Sequence, residues 1–268
     1  MSDLSPLTWW RRFLALPNDS LSKTLGVALL VALVAATAVS VTAISLKPRQ
    51  QAHVEAAREA KLAAMVATLP GLADILRETG AETLEAVLVD LQTGQIAIDT
   101  DPAGYDYLAA QSDAAQGMAL VAADDGAGIG MRPDLAPVYL LRGADGLALV
   151  VLPVYGKGYQ STIRAYLALR GDLRTIAGLS IYEQGETPGL GSRITDPGWM
   201  GLWAGKTAMD AGGAVTITVV RGAGADASQV DGITGATRSS TGVANLVRFW
   251  LGPLGFGPFL ARLQAGEF

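Results

Sequence analysis

Asp231-Gly232-Ile233-Thr234-Gly235-Ala236-Thr237-Arg238-Ser239-Ser240-Thr241-Gly242 is a run of glycines and hydroxyl residues, and the largely apolar residues 243–251 follow it directly. This pattern predicts a glycine-rich loop that opens a helix. Glycine lets the backbone approach a ligand closely, and the free amides of a helix N-terminus suit a phosphate. Thr237 lies just before the predicted helix, where its hydroxyl would face solvent and attack phosphorus. An ordinary capped turn is the alternative, since such residues often do no more than begin a helix.

The composition of the chain favours a membrane protein and excludes several kinds of site. Half of the 268 residues are hydrophobic and 17% are charged, and this length allows one large or two small domains. A net charge of −5 argues against a nucleic-acid-binding surface. Because the chain contains no cysteine, it has no disulfide, no thiolate nucleophile and no cysteine-ligated iron–sulfur cluster.

Residues 25–46 carry no charged side chain and predict a transmembrane helix. About 22 residues at about 1.5 Å each reach roughly 33 Å, enough for a bilayer core of about 30 Å. A cleaved signal peptide is the alternative, but its apolar core would be shorter and nearer to Met1. Residues 1–24 would form an N-terminal segment and residues 47–268 a separate domain. Cations flank the span on both sides, so charge does not fix its orientation.

Beyond the predicted span, the sequence predicts an α+β domain built on antiparallel strands. An Ala-rich stretch at 51–68 predicts a helix, and residues 215–220 predict a strand. Residues 101–135 have no clear pattern. Three pairs of β-like runs flank turn residues and predict hairpins: 84–91 with 96–100, 138–141 with 147–154, and 165–170 with 175–182.

Three clusters between the predicted hairpins contain candidate ligand-binding residues. In Tyr155-Gly156-Lys157-Gly158-Tyr159, a lysine between glycines would reach a phosphate and the tyrosines would stack on a flat ring, although a plain surface turn is the alternative. Glu183-Gln184-Gly185-Glu186-Thr187-Pro188-Gly189-Leu190-Gly191 predicts a loop shaped by proline and glycine and held by the preceding strand. In the third cluster, Lys206 follows Trp199 and Trp203, tryptophans more typical of a core.

The order of residues in Asp231-x-x-Thr234-Gly235-Ala236-Thr237-x-Ser239 resembles the flavinylation motif of covalent FMN proteins. In that family, the threonine after Gly-Ala carries FMN through a phosphoester bond, which a separate flavin transferase forms. The resemblance assigns this role to Thr237. The one departure from the commonest form of the motif is Thr234, where serine is more frequent. Both residues carry a hydroxyl group.

Four segments in this order are similar to the C subunit of the Na+-translocating NADH:quinone reductases: Asn18-Asp19-Ser20 with Lys23-Thr24, then Tyr155-Gly156-Lys157-Gly158, then the loop at 183–191, then the flavinylation loop. The resemblance runs from about residue 17 to the C-terminus and is weakest at 101–135. The alternative is the G subunit of the Rnf-type ferredoxin:NAD+ oxidoreductases, which shares the last two loops. That subunit often has a histidine just before the loop glutamate, where this chain has Gln184-Gly185.

The resemblance implies a bacterial inner-membrane protein whose FMN-binding domain, residues 47–268, lies on the periplasmic side. It implies a complex with subunits A, B, D, E and F that oxidises NADH, reduces ubiquinone and transports Na+. This chain would relay electrons from a membrane iron–sulfur centre toward the flavin of the B subunit. No acid–base catalyst and no metal site are expected. An alternative of a different class is a membrane-tethered anion-binding or assembly module without a redox role.

The residues expected around the FMN form two sets. One set would, together with the loop amides, donate hydrogen bonds to the phosphate oxygens or offset the phosphate charge: Thr234, Gly235, Ala236, Ser239, Ser240, Lys157 and Lys206. The other set would border the isoalloxazine ring: Glu186, Thr187, Leu190 and Gly191.

Overall fold

A computed structural model describes residues 14–15, 17, 20–37, 39–40, 84–102, 104–143, 146–222 and 224–268 of the chain. The chain divides into two units, residues 1–60 and 61–268.

In the first unit, helix α1 covers residues 21–37. The Ser20 hydroxyl accepts a hydrogen bond from the Lys23 amide at 3.4 Å, which caps the first turn. Within the described part of the chain, no helix is long and apolar enough to cross a membrane. The end of the predicted span, residues 41–46, lies outside the described residues, as does the predicted helix at 51–68.

The second unit contains a five-stranded antiparallel sheet and two smaller strand pairs. Its strands are β1 (Leu84–Asp90), β2 (Gly117–Ala119), β3 (Met131–Pro133), β4 (Leu135–Gly143), β5 (Gly146–Lys157), β6 (Thr162–Arg170), β7 (Ile176–Glu183), β8 (Thr218–Val220) and β9 (Gln229–Asp231). The order in the large sheet is β1-β4-β5-β6-β7. Strands β2 and β3 pair antiparallel, whereas β8 and β9 pair parallel.

The predicted antiparallel sheet is confirmed, and two of its three predicted hairpins are present as β4 with β5 and β6 with β7. The predicted strand at 96–100 is wrong, since only Ile96 forms a bridge, with Val89. Ile98 is 88% exposed, so extending this strand would bury no apolar side chain. The predicted strand at 215–220 is shorter than expected, because only β8 is regular.

Among the described residues of the second unit, all helices except one are short. They are α2 (Tyr107–Ala110), α3 (Pro197–Gly201), α4 (Thr237–Leu251) and α5 (Gly257–Gln264), and a 3-10 turn covers Gly191–Thr195. Helix α4 confirms the helix predicted after the glycine-rich loop. Its buried side chains join those of the large sheet in one apolar core.

Helix α4 lies directly against β5, and two glycines make this approach possible. A Cβ atom at Gly156 would lie 2.7 Å from the Cβ atom of Leu246, and one at Gly242 would lie 2.9 Å from the carbonyl oxygen of Lys157. The fully buried Trp250 indole donates a hydrogen bond to the Tyr155 carbonyl at 2.7 Å. Tyr155 and Gly156 therefore belong to the core, and the contact fixes helix α4 relative to the sheet.

Candidate functional site

The glycine-rich loop joins the end of β9 to the start of α4. Gly235 has a φ of +84°, a left-handed conformation that glycine adopts without strain. Thr237 is the first residue of the helix, which therefore begins one residue earlier than predicted, and its side chain is exposed. The residue preceding the helix is Ala236, and no side chain of the described residues caps the first turn. The first-turn amides and the positive end of the helix dipole can therefore serve a phosphate.

Thr237 lines a cavity of about 290 Å³ beside this loop. Arg221 supplies the only cation among the described residues that line it, which are Val219, Val220, Arg221, Gly222, Gly232, Ile233, Thr234, Gly235, Thr237 and Thr241. A threonine hydroxyl, helix amides and a guanidinium are the donor groups that a phosphate monoester or diester requires. The residues present at this cavity fit the phosphate end of FMN.

A second cavity of about 410 Å³ lies along the other side of the loop. It shares Gly232, Ile233 and Thr234 with the first cavity, and its remaining lining residues are Arg193, Asp196, Gly198, Trp199, Leu202 and Asp231. The loop thus has concave surface on both sides.

Asp231, the first residue of the motif, accepts hydrogen bonds from segments that line both cavities. Its Oδ1 accepts a hydrogen bond from the Gly224 amide at 2.6 Å, which holds the segment that carries Arg221. Its carbonyl oxygen accepts from the Trp199 indole at 2.7 Å. Asp231 is therefore turned toward the protein, and its contacts give the loop its shape.

Glu186 is almost completely buried, with 4% of its surface exposed, and its carboxylate is surrounded by donors. Oε1 accepts from the amides of Gln160 at 2.9 Å and Ser161 at 3.2 Å. Oε2 accepts from the Ser239 hydroxyl at 2.5 Å and the Tyr159 amide at 3.3 Å. One side chain thus joins the turn between β5 and β6 to the first turn of α4.

Two glycines leave the space that this carboxylate occupies. A Cβ atom at Gly158 would lie 2.5 Å from Oε1 of Glu186, and one at Gly191 would lie 2.6 Å from the Ser239 hydroxyl and 2.9 Å from Oε2. The clusters at 155–159 and 183–191 therefore meet the glycine-rich stretch at 231–242 at one buried group.

The hydrogen bonds also decide the charge of Glu186. Burial by itself raises the pKa of this carboxyl group, but donation from Ser239, Gln160, Ser161 and Tyr159 outweighs it, so the pKa lies below its ordinary value. Glu186 is ionised at neutral pH.

The structure divides the predicted phosphate-binding residues between the surface and the interior. Thr234 and Gly235 are exposed beside Thr237, whereas Ala236, Ser239 and Ser240 are buried. Ser239 donates to Glu186, and Ser240 donates to the Ala236 carbonyl and accepts from the Ile233 amide. The two serine hydroxyls stabilise the loop from inside and do not face the cavities.

The predicted ring-bordering residues are divided in the same way. Thr187 and Leu190 are exposed at the tip of their loop, and Leu190 shows 54% of its surface. Glu186 and Gly191 are buried beneath them, so their contribution is to the shape of the loop. The sequence pattern alone did not distinguish the tip from the base.

The two predicted lysines line neither cavity. Lys157 is exposed at the end of β5. Its Cβ atom lies 3.0 Å from the position that a Cβ atom would occupy at Gly128. The Lys206 ammonium lies 3.5 Å from the Asp226 carbonyl oxygen. Arg221, and neither lysine, lines the cavity beside Thr237.

Two cationic groups at the site were missed in the sequence. The only sequence feature that marks Arg221 is its position between the β-branched run at 215–220 and Gly222. The Arg238 guanidinium lies 5.0 Å from the centre of the Tyr159 ring, a cation–π distance. This pair joins residues far apart in sequence, so no local pattern marked it.

The FMN-binding domain family matches residues 158–252, a range that contains the glycine-rich loop, Glu186 and the whole of α4. The chain thus contains an FMN-binding domain. A crystal structure of NqrC from Shewanella oneidensis has a similar fold, with a TM-score of 0.64 and 34% identity over 72% of this chain and 88% of that chain.

Curated relatives extend this similarity to nearly the whole chain. The C subunit of the Na(+)-translocating NADH-quinone reductase of Pseudomonas aeruginosa is 42% identical over 259 residues, which cover 93% of this chain and 98% of the relative. The corresponding protein of Yersinia pestis is 39% identical over 254 residues, covering 93% and 95%. The chain belongs to the family formed by the C subunits of the Na(+)-translocating NADH-quinone reductases.

Proposed function

We propose that this chain is the FMN-carrying electron-transfer subunit of a Na+-translocating NADH:ubiquinone oxidoreductase and that Thr237 holds the FMN covalently. The observation that carries the proposal is the exposed Thr237 hydroxyl at the uncapped N-terminus of α4, in a cavity that also contains Arg221. Bound FMN supplies one-electron redox chemistry. The chain's own residues bind the phosphate, hold the loop and shape the surface around it.

The attachment requires a phosphoryl transfer to Thr237. Its Oγ forms a bond to phosphorus while the bond from phosphorus to the leaving group of an activated FMN donor breaks, and the hydroxyl proton passes to a base. The adduct adds one FMN less one water. Among the described residues, no ionisable side chain lines the cavity near Thr237 apart from Arg221, so we propose that a separate flavin transferase supplies the base. The first-turn amides, Thr234 and Arg221 would bind the phosphate oxygens.

The family supports a role in the middle of an electron path. Relatives are named as C subunits of Na(+)-translocating NADH-quinone reductases, so we propose that this chain assembles with subunits A, B, D, E and F. It would pass electrons from a membrane iron–sulfur centre toward the flavin of the B subunit. The Rnf-type alternative lacks comparable support, since the relatives from Pseudomonas aeruginosa and Yersinia pestis are both C subunits of the NADH-quinone reductase.

Colour after denaturation separates this proposal from the anion-binding or assembly module. The full chain, produced together with a flavin transferase and purified, is expected to be yellow and to stay yellow in denaturant, because a phosphoester bond survives unfolding. The chain produced without the transferase is the control and should be colourless. A colourless product from both preparations would favour the assembly module.

We also propose that residues 25–46 anchor the chain in the bacterial inner membrane as one span, with the FMN-binding domain in the periplasm. The uncharged length of this segment and the family support this arrangement. A C-terminal alkaline phosphatase fusion is expected to be active, and the mature protein should retain Met1 or Ser2. An active cytoplasmic reporter at the C-terminus would place the domain on the other side.

A further inference from the structure

We propose that the buried carboxylate of Glu186 is a positioning group for the flavin site, which holds Thr237 and the Arg238–Tyr159 pair in the arrangement that receives FMN. This inference rests on the proposed attachment of FMN to Thr237. It assigns Glu186 a role that differs from contact with the flavin ring.

The contacts of Glu186 reach both sides of the attachment point. Ser239, whose hydroxyl donates to Oε2, lies two residues after Thr237 in the first turn of α4. The Tyr159 amide donates to the same oxygen, and the Tyr159 ring lies against the Arg238 guanidinium. Arg238 is the residue next to Thr237. The Glu186 carboxylate therefore contacts the helix turn that carries Thr237 through Ser239, and it contacts the residue packed against Arg238 through Tyr159.

A carboxylate is the only side-chain group that suits this position. Ionised Glu186 only accepts hydrogen bonds, and every neighbour named above donates one. A glutamine of equal size would point an N–H group at another N–H group, leaving donors unpaired in a buried site. The space at Gly158 and Gly191 is also shaped to the carboxylate oxygens.

Because Glu186 is charged, its contribution to the stability of the folded chain depends on pH. The pKa of Glu186 is lower in the folded state than in the unfolded state. The ionised carboxylate therefore stabilises the folded chain at pH values above the unfolded-state pKa of about 4.3, and this stabilisation is lost as pH falls through the folded-state pKa. The charged side chains on the segments around Glu186 include Lys157, Glu183, Arg193 and Arg238, which are exposed. Solvent screens these exposed charges. Arg164 on β6 is half-buried and forms an ion pair with Glu183 at 3.5 Å.

The test compares Glu186→Gln with Glu183→Gln in the full chain produced with a flavin transferase. We expect Glu186→Gln to load covalent flavin roughly 10- to 100-fold more slowly, because a small displacement of the acceptor hydroxyl slows its reaction by about this factor. Glu183 lies three residues earlier and its side chain is 61% exposed, so its variant should load at the wild-type rate. Glu186→Asp keeps the charge and should recover part of the loading.

Two further measurements keep the proposal testable if Glu186→Gln folds poorly. Gly191→Ala retains the carboxylate but puts a Cβ atom against Ser239, and it should slow loading in the same way. In chains without flavin, the difference in Tm between wild type and Glu186→Gln should be large at pH 7 and shrink below about pH 4. A pH-independent difference together with wild-type loading would overturn the proposal.

The outcome for Thr237→Ala separates this inference from the proposed function. If Thr237→Ala still carries covalent flavin, the attachment site is wrong and the positioning proposal fails with it. If Thr237→Ala lacks flavin while Glu186→Gln and Gly191→Ala load at the wild-type rate, only the positioning role of Glu186 is wrong.

Discussion

Thr237→Ala is expected to abolish covalent flavin completely while leaving the fold intact. In the wild-type chain, the peptide 231–248 should be heavier by one FMN less one water, and in the variant the same peptide should be unmodified. The physical reason is that Thr237 offers an exposed hydroxyl at the uncapped start of α4. Because the residue is exposed at a helix end, its replacement should change stability little.

Thr241→Ala is the matched control for this variant. Thr241 lies one helical turn later, is also exposed, and lines the same cavity, so losing its hydroxyl should leave the flavin in place. An adduct on Thr234 or Ser239 would contradict the assignment. Ser239 is an unfavourable acceptor because its buried hydroxyl already donates to Glu186.

In the assembled enzyme, the same Thr237→Ala change is expected to reduce quinone reduction and Na+ uptake to background. NADH oxidation by a soluble artificial acceptor should stay largely intact, since the electron path is cut after the NADH site. The sequence has no Gly-x-Gly-x-x-Gly opening a βαβ unit, and the large sheet of the described residues is antiparallel. A dinucleotide site of that kind is therefore not formed here.

The measurement compares three rates in membranes that contain the wild-type or variant complex: NADH oxidation with the artificial acceptor, ubiquinone reduction, and Na+ uptake into vesicles. The Thr241→Ala complex should match the wild type in all three. Ubiquinone reduction by Thr237→Ala at near wild-type rates would place this flavin outside the main electron path.

Local sequence patterns predicted the parts of the fold that depend on neighbours in the chain. The hairpins formed by β4 with β5 and by β6 with β7 were visible because apolar runs flank turn residues such as Gly143 and Asp172. Helix α4 was visible because an apolar run follows a glycine-rich loop. The short elements in 101–135 were not, since strands of three residues carry too little pattern.

Helical periodicity separates the buried hydroxyl residues of α4 from the exposed ones. Ser239, Val243 and Leu246 follow one another at helical spacing, and all are buried, whereas Thr237, Thr241 and Asn245 share the exposed face. The serines could therefore have been assigned to the interior from their spacing alone. Composition pointed to hydroxyl ligands, but the phase of the helix decides which hydroxyls reach solvent.

The inward position of Glu186 could not have been predicted from its own loop. Its direction depends on the space left at Gly158, the amides of the turn that follows, and a serine near the start of a distant helix. An acidic residue before Thr-Pro-Gly is expected at the surface. Burial became favourable only because tertiary contacts bring enough donors to one point.

The close contact between α4 and β5 has a consequence for how far a flavin on this chain can travel. Gly156 and Gly242 leave no gap between helix and strand, and the Trp250 indole is bonded across the contact. The protein end of the flavin tether is therefore stationary relative to the sheet. A flavin on Thr237 can change its distance to an electron donor or acceptor only by rotation about the single bonds of the Thr237 side chain and of its own phosphate and sugar-alcohol chain, or by displacement of the whole domain.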